Sequence, residues 1–261
     1  MRPSLTSAFP GSRGTVQHAL VIAAGEVGER RALDAAWPGW AEGVELVIAA
    51  DGGYPSAGHL GFAPDLLIGD LDSIDAETHA RVSAAGLAVE RASPDKDASD
   101  TELAVLEARR LGAARITVLG ALGGPRLDHA LANIWLLAHP ALEGTETVLL
   151  DAVTRLSVVR APDASRMPVM RRLDGPSGAT ITLLPLGGEV TGVTTDGLRY
   201  PLHDESLYVG PARGLSNVRT ATTASVRVRA GRLLVVEQAP ADARLSSGRR
   251  EVSDDDDPQG R

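Results

Sequence analysis

The sequence predicts an α/β domain with a parallel sheet, followed by an all-β domain folded as an antiparallel β-sandwich. Up to about residue 160, short apolar runs alternate with amphipathic stretches, and later segments alternate apolar and polar residues and are broken by Gly and Pro. Strands that are apolar throughout and separated by helices are typical of a parallel sheet covered on both faces. We therefore predict a flexible N-terminal extension at 1–15, the α/β domain at 16–160, the β-sandwich at 177–238 and a disordered acidic tail at 239–261.

Five strands and two helices are predicted in the α/β domain. The strands are the apolar runs at 19–24, 46–50, 66–68, 116–119 and 148–150. The helices are the amphipathic segments at 101–111 and 127–138. Because ligands of open parallel sheets bind beyond the carboxyl ends of the strands, polar residues directly after these strands are candidates for a ligand site.

Three segments with alternating residues are predicted strands of the β-sandwich, at 179–184, 225–229 and 232–237. The Arg-Ala-Gly-Arg turn between the last two predicts a β-hairpin. The segment before them, 161–176, is rich in Pro, Asp and Arg and is expected to include the linker between the domains.

Composition excludes several classes of function. The formal net charge of −8 argues against a general nucleic-acid binder, which needs dense Lys and Arg contacts with phosphate. No cysteine is present, so thiolate chemistry and Cys-based metal sites are excluded. No apolar run approaches the roughly 20 residues of a membrane span, and residues 1–15 lack the apolar core of a secretion signal. We expect a soluble, cytoplasmic protein.

Aspartates follow two of the predicted strands. Asp51, Gly52 and Gly53 come directly after the second strand, and paired glycines let the backbone approach a ligand closely. Asp70 and Asp72 follow the third strand and point the same way if the chain stays extended, so that they can share one Mg²⁺. The alternatives are a structural Asp-Gly turn in the first case and an Asx turn that caps a helix in the second.

A third acidic cluster surrounds the single lysine of the chain, Lys96. Ser99 and Glu102 fit a capping box that opens the first predicted helix, and a helix N-terminus binds phosphate through its free N–H groups. Lys96 suits a phosphate oxygen, and Asp97 and Asp100 are possible metal ligands. The alternative is that these acidic residues only stabilise the helix dipole.

A glycine-rich loop precedes the second predicted helix. Gly123 and Gly124 could bring the backbone close to a phosphate or ribose, and Arg126 could bind phosphate with both arms of its guanidinium. His129 is a conceivable acid or base, although a histidine at a helix start is more often structural. Aspartates combined with one lysine and one arginine in loops indicate Mg-assisted phosphoryl chemistry.

Together these motifs resemble the thiamine pyrophosphokinase (thiamine diphosphokinase) family. Seven motifs follow the family's order, at 51–53, 69–73, 96–104, 126–129, 132–134, 197–202 and 214–217. The resemblance implies transfer of the β,γ-diphosphoryl unit of ATP to the thiamine hydroxyl, which gives thiamine diphosphate and AMP. It also implies a nucleotide-binding α/β domain, a β-sandwich that completes the thiamine site, and a homodimer with active sites at the subunit interface.

The resemblance also implies a role for each matched residue. It places Mg²⁺ on Asp70, Asp72 and Asp100. The implied ATP-binding residues are Asp51, Gly52, Gly53, Lys96, Ser99, Gly123, Gly124 and Arg126, and the implied catalytic residues are Asp70, Asp72, Asp97, Asp100 and Asp128. Tyr200, Ser216 and Asn217 fall in the thiamine motifs, where Tyr200 could stack on the cationic ring. Asp97 and Asp128 are both candidates to accept the hydroxyl proton.

Two other functions fit part of the pattern. A pyrophosphokinase for another hydroxymethyl heterocycle, such as a pterin, would use the same Asp70–Asp72 core, although the segments around Tyr200 and Asn217 favour thiamine. An inactive protein that senses nucleotide or thiamine could lose metal ligands at little cost, yet every aspartate of the predicted site is present.

Overall fold

The computed structural model describes residues 16–69, 87–91, 97–162 and 167–239, and among them it shows one sheet of ten strands and a second sheet of four. The first six strands of the large sheet are β1 (His18–Ile22), β2 (Val44–Ala50), β3 (Leu66–Gly69), β4 (Ala88–Arg91), β5 (Arg115–Leu119) and β6 (Glu146–Leu150). They pair in parallel in the order β6-β5-β1-β2-β3-β4. Five of them match the predicted runs. The edge strand β4 was missed because only Ala88 and Val89 of its four residues are apolar.

The eight remaining strands are antiparallel to their neighbours. They are β7 (Thr154–Ala161), β8 (Val169–Asp174), β9 (Thr180–Pro185), β10 (Val190–Asp196), β11 (Glu205–Leu207), β12 (Asn217–Val218), β13 (Thr223–Val228) and β14 (Gly231–Gln238). Four of them continue the large sheet past β6 in the order β12-β9-β14-β7, and the others form the second sheet in the order β11-β10-β13-β8. The predicted fold class, a parallel α/β part followed by an antiparallel sandwich, is confirmed, although one sheet is continuous through both parts.

The predicted hairpin between β13 and β14 is wrong. β13 pairs with β10 and β8 in the small sheet, whereas β14 pairs with β7 and β9 in the large one. The turn therefore carries the chain from one sheet to the other. Gly231 makes this possible with a φ of +98°, since a Cβ there would lie 2.6 Å from the carbonyl oxygen of Glu189. Alternation identified the buried face of each strand but not its partner.

β8 lies inside the segment at 161–176 that was expected to include the linker. Only Leu173 of its six residues is fully buried, and its arginines gave the segment the composition of a loop. The domain boundaries themselves stay a prediction.

Helices cover both faces of the parallel part. They are α1 (Arg30–Ala36), α2 (Tyr54–His59), α3 (Asp100–Arg110) and α4 (Leu127–Leu136), of which α3 and α4 were predicted. Side chains of α3 pack with Val21, Ile48 and Ile116 on one face. On the other face α1 packs against the side chains of β1, with Leu33 fully buried. Burial on both faces explains why these strands are apolar throughout.

The small sheet covers the face of the large sheet on which α1 lies, but over its antiparallel part. There Val193 and Val226 pack against Leu233 and Val235 of β14. Among the described residues, no helix is long and apolar enough to cross a membrane.

Candidate active site

The loops that follow β1, β2 and β5 lie at the carboxyl edge of the parallel strands. The chain runs outward from β1 through β2 and β3 to β4, then returns to the other side of β1 as β5. Such a reversal of strand order leaves a crevice between the loops, which is where ligands of open α/β sheets bind. Most of the predicted ATP residues fall in these loops or at the start of α3.

Asp51 begins a short 3-10 helix directly after β2 and has an unusual environment. Its φ is +45°, in the left-handed region, and its Cβ lies against the end of β3, where a Cβ added to Gly69 would be 3.1 Å away. The oxygen Oδ1 of Asp51 is buried and has no hydrogen-bond partner among the described residues. A buried carboxylate oxygen without a donor is costly, so the position calls for a cation or a donor from elsewhere.

Gly53 brings this segment against β1. A Cβ at Gly53 would lie 2.0 Å from the carbonyl oxygen of Ile22, and one at Gly52 would lie 3.2 Å from the Cβ of Ala24. Side chains at these two positions would push Asp51 away from the sheet edge. The Asp-Gly-Gly motif is therefore needed for packing between the ends of β1 and β2, whatever it binds.

The glycines after β5 also pack against the loop after β1. The N–H of Gly25 donates to the carbonyl oxygen of Gly120 at 3.1 Å, and a Cβ at Gly25 would lie 2.4 Å from that oxygen and 2.5 Å from the one of Gly123. Gly124 has a φ of +108° and is exposed. Gly123 thus serves the contact between the two loops, while Gly124 is exposed where a phosphate could approach.

Asn133, on α4, anchors the loop after β5 through a side-chain hydrogen bond. Its side chain is buried, and its Nδ2 donates to the carbonyl oxygen of Ala121 at 2.9 Å. The sequence motif around it was noted without a role. A buried amide on a helix whose other inward residues are apolar is the signal that could have identified it.

The N-terminus of α3 has the predicted cap. The Oγ of Ser99 accepts a hydrogen bond from the backbone N–H of Glu102 at 3.1 Å, as the first half of a capping box requires. Asp97 and Ser99 are exposed and Asp100 is half-buried. Asp70, Asp72 and Lys96 lie outside the described residues. The part of the chain that the structure describes contains no group of three or more His, Asp or Glu side chains arranged to hold a metal.

Arg126 and Asp128 bind each other across the start of α4. Nε donates to Oδ1 at 2.9 Å and Nη2 donates to Oδ2 at 2.5 Å, and both side chains are exposed. This contact holds the pKa of Asp128 well below its ordinary value. While it is paired in this way, Asp128 is a poor proton acceptor, and Arg126 keeps three of its five N–H groups for a phosphate.

The three residues predicted for thiamine are close together at the edge strand β12. Asn217 is buried, and its side chain bonds both the N–H and the carbonyl oxygen of Tyr200, a residue that is 53% exposed. Ser216 has a φ of +55°, and its N–H donates to Oγ1 of Thr182 at 3.0 Å. Their assignment to thiamine stays a prediction.

The two groups of residues lie far apart within one chain. Six strands lie between β2, which Asp51 directly follows, and β12, which carries Asn217, so the two strands are seven spacings apart. At ~4.8 Å per spacing this amounts to about 34 Å along the sheet.

Sequence analysis also missed a buried ion pair next to β12. Arg219 and Glu237 are 2% and 4% exposed, and Nη2 of Arg219 donates to Oε1 of Glu237 at 2.8 Å. Eighteen positions separate the two residues in sequence. No local pattern could have paired them.

Two cavities lie away from this crevice. One, of about 550 Å³, is lined by residues 37–40, which follow α1, and by arginines that pair with Glu146, Asp174 and Glu237. The other, of about 610 Å³, lies around Arg160 and Arg232. The predicted ATP residues do not line either of them.

Comparison with known proteins finds a family match for each part of the chain, the part with the predicted ATP residues and the part with the predicted thiamine residues. A family model described as "Thiamin pyrophosphokinase, catalytic domain" matches residues 39–149, and one described as "Thiamin pyrophosphokinase, vitamin B1 binding domain" matches residues 168–233. The first range contains Asp51, Asp100 and Arg126, and the second contains Tyr200 and Asn217.

Individual relatives and solved structures share a modest fraction of their residues with this chain. Thiamine pyrophosphokinase 1 of Oryza sativa subsp. japonica is 30% identical over 180 residues, which cover 67% of this chain and 65% of that protein. Thiamine pyrophosphokinase of Bacillus subtilis is 25% identical over 179 residues, which cover 69% of this chain and 80% of that protein. A solved structure of thiamine pyrophosphokinase from Bacillus subtilis has the same fold, with a TM-score of 0.71 at 22% identity over 85% of this chain and 99% of that one.

Proposed function

The chain belongs to the thiamin pyrophosphokinase family, and we propose that it transfers the diphosphate group of ATP to the hydroxyl of thiamine. The products are thiamine diphosphate and AMP. The observation that carries the proposal is that both family domains match in order along one chain, with Asp51 and the α3 cap in the first and Tyr200 in the second.

The crevice supports ATP as the donor. The N-terminus of α3 and exposed Gly124 offer N–H groups to phosphate, and Arg126 offers a planar fork. Arg126 can bind a phosphate with the N–H groups that Asp128 does not use, and Asp128 becomes free to contact the nucleotide or the attacking hydroxyl only where the phosphate displaces it. Lys96 completes the proposed phosphate contacts.

We propose Mg²⁺ as the metal, held by Asp70, Asp72 and Asp100. The orphaned Oδ1 of Asp51 supports a cation at this edge, since Asp51 packs against Gly69, the residue before Asp70. Carboxylate oxygens and substrate phosphates are the ligands that Mg²⁺ takes in such sites. When bound, the ion would neutralise charge that develops on the phosphates.

The long separation within one chain supports a homodimer with shared active sites. Residues that contact one thiamine and the ATP that it attacks must lie close together, but six strands lie between the one that Asp51 follows and the one that carries Asn217. A second copy can bring its β12 edge to the crevice of the first, and a two-fold axis then makes two such sites. Leu127, Leu131 and Trp135 form an exposed apolar stripe on α4 beside the crevice, as a subunit contact would require. We also propose that the protein acts in the cytoplasm.

The activity is tested by AMP release from ATP, measured with and without thiamine and with and without Mg²⁺. We expect AMP only when both thiamine and the metal are present. ADP as the product, or AMP release that does not depend on thiamine, would contradict the proposal. Replacing thiamine with a pterin alcohol tests the alternative function, a pyrophosphokinase for another hydroxymethyl heterocycle, because only a pterin kinase would release AMP with that substrate.

The shared site is tested by complementation. Asp51→Asn and Tyr200→Ala impair opposite halves of the site, so at thiamine concentrations well below KM each variant alone should have at most about a tenth of wild-type activity. When the two are co-expressed, half of the dimers carry both chains, and each of these has one intact site, so about a quarter of wild-type activity should return. If the site lies within one chain, no activity returns.

A further inference from the structure

The side chain of Asn217 is almost entirely used by the backbone around it. Its Nδ2 donates to the carbonyl oxygen of Tyr200 at 2.7 Å, and its Oδ1 accepts from the N–H groups of Tyr200 and Val218 at 3.0 and 2.9 Å. An asparagine amide has two acceptor positions and two N–H donors, so one N–H remains. Since the residue is 5% exposed, it has little left to offer a ligand.

Tyr200 is held through both its backbone N–H and its carbonyl oxygen, while the residue stays exposed. The preceding residue, Arg199, donates its N–H to the carbonyl oxygen of Val218 at 2.8 Å. Gly197 begins the same loop with a φ of +71°, and a Cβ there would lie 2.7 Å from the carbonyl oxygen of Thr223. The backbone from which the Tyr200 side chain projects is therefore held in place by hydrogen bonds, and Asn217 supplies two of them.

The segment that carries Asn217 is itself firmly anchored. β12 pairs with β9, with Asn217 opposite Ile181. Two residues later Arg219 is buried, and its guanidinium bonds Glu237 of the large sheet and the carbonyl oxygen of Leu173 in the small sheet. Through its hydrogen bonds to Tyr200, Asn217 thus fixes the loop that carries Tyr200 to the anchored strand β12.

We propose that Asn217 is a positioning residue, which contributes to thiamine binding only by fixing Tyr200 and makes no contact of its own with the substrate. The inference rests on the proposed function, because it takes thiamine as the ligand of Tyr200. Asn217 then differs in kind from Tyr200, although both lie in motifs of the same predicted site.

A double-mutant cycle tests this. The variants are Tyr200→Ala, Asn217→Asp and the double variant, and the measurements are kcat, the KM for each substrate and the Kd for thiamine by calorimetry. Asn217→Asp keeps the acceptor of the amide and loses the donor to the carbonyl oxygen of Tyr200. It should raise the thiamine KM and Kd about tenfold and leave the ATP KM within about twofold. Because one residue acts through the other, the double variant should match Tyr200→Ala within about twofold.

Other outcomes overturn the inference. Effects that multiply to about a hundredfold in the double variant would mean that Asn217 contacts thiamine directly. An unchanged thiamine KM and Kd in Asn217→Asp would remove its role altogether. If Asn217→Asp does not fold, Asn217→Ser, which replaces the amide with a shorter, uncharged hydroxyl, takes its place in the cycle.

A matched control is Asn133→Asp, the same substitution at a buried asparagine that holds the loop after β5. It should raise the ATP KM and leave the thiamine KM near the wild-type value. A failure of the proposed function is seen separately, as wild-type protein that releases no AMP. In that case the cycle is read from the thiamine Kd alone, and wild-type protein that does not bind thiamine refutes both.

Discussion

Replacing Glu237 with glutamine measures what the buried ion pair between the two sheets contributes to stability. Glu237 accepts from Arg219 at 2.8 Å through one oxygen and from Nε of Arg155 at 2.9 Å through the other. Burial lowers the pKa of the Arg219 guanidinium, and the charge of Glu237 opposes that shift. Glutamine has nearly the same shape, so the substitution removes the negative charge and one acceptor and leaves little cavity.

The magnitude follows from how each partner is buried. Arg219 is 2% exposed and loses the negative charge that compensates its burial, although the glutamine oxygen can still accept from it, whereas Arg155 is 30% exposed and can turn toward water. Removing one partner of a buried pair costs about 3–5 kcal/mol, and the partial solvation of Arg155 puts Glu237→Gln near the lower end, at about 3 kcal/mol. For a chain of this size the Tm should fall by about 6–12 °C.

The assay is urea unfolding followed by tryptophan fluorescence and by circular dichroism, at pH 7.5. The control is Glu205→Gln, which breaks the half-exposed pair of Glu205 with Arg213 and should cost less than about 1 kcal/mol. The reasoning fails if Glu237→Gln loses no more stability than this control. A change in the slope of the transition, rather than in its midpoint, would show an altered unfolded or native state.

Three further predictions concern the parallel part of the sheet. Burial lowers the pKa of His18, so the unfolded chain takes up its proton first as the pH falls; the free energy of unfolding should decrease below about pH 6.5, and His18→Gln should flatten urea midpoints measured between pH 7.5 and 5.5. Gly53→Ala forces a Cβ to within 2.0 Å of the Ile22 carbonyl oxygen and should cost about 2 kcal/mol or more, whereas Gly58→Ala, with open space around it, should cost little in the same unfolding assay. Asp51→Asn should lower kcat by about 100-fold or more without lowering the Tm, and activity close to wild type would remove Asp51 from the site.

Local patterns predicted the parallel part of the protein well. The run before Asp51 forms a strand because every residue from Leu46 to Ala50 is buried, and Ser99 caps α3 because it lies three positions before Glu102. Both features depend on neighbours within a few residues. The short edge strand β4, with only two apolar residues, has no such signal.

Long-range pairing could not be predicted in the same way. The turn between β13 and β14 has the residues of a hairpin, but the strands join different sheets, because the partners that bury their inner faces come from distant segments. Asn217 was assigned to the ligand because its motif lies in the thiamine part of the family. Only the folded chain brings it against the backbone of Tyr200, seventeen positions away, where its amide is used.

By itself, then, the sequence determined the class of the fold, most strands of the parallel part and the family to which the protein belongs. Those properties follow from the periodicity of apolar residues and from short motifs, both of which depend only on neighbours in the sequence. The tertiary structure decided that one sheet runs through both halves and that Asp51 has a buried oxygen without a donor among the described residues. It also decided that the strands next to the predicted ATP and thiamine residues are seven positions apart in one sheet, about 34 Å along it. Packing between distant segments sets burial and separation, so these properties exist only once the chain has folded.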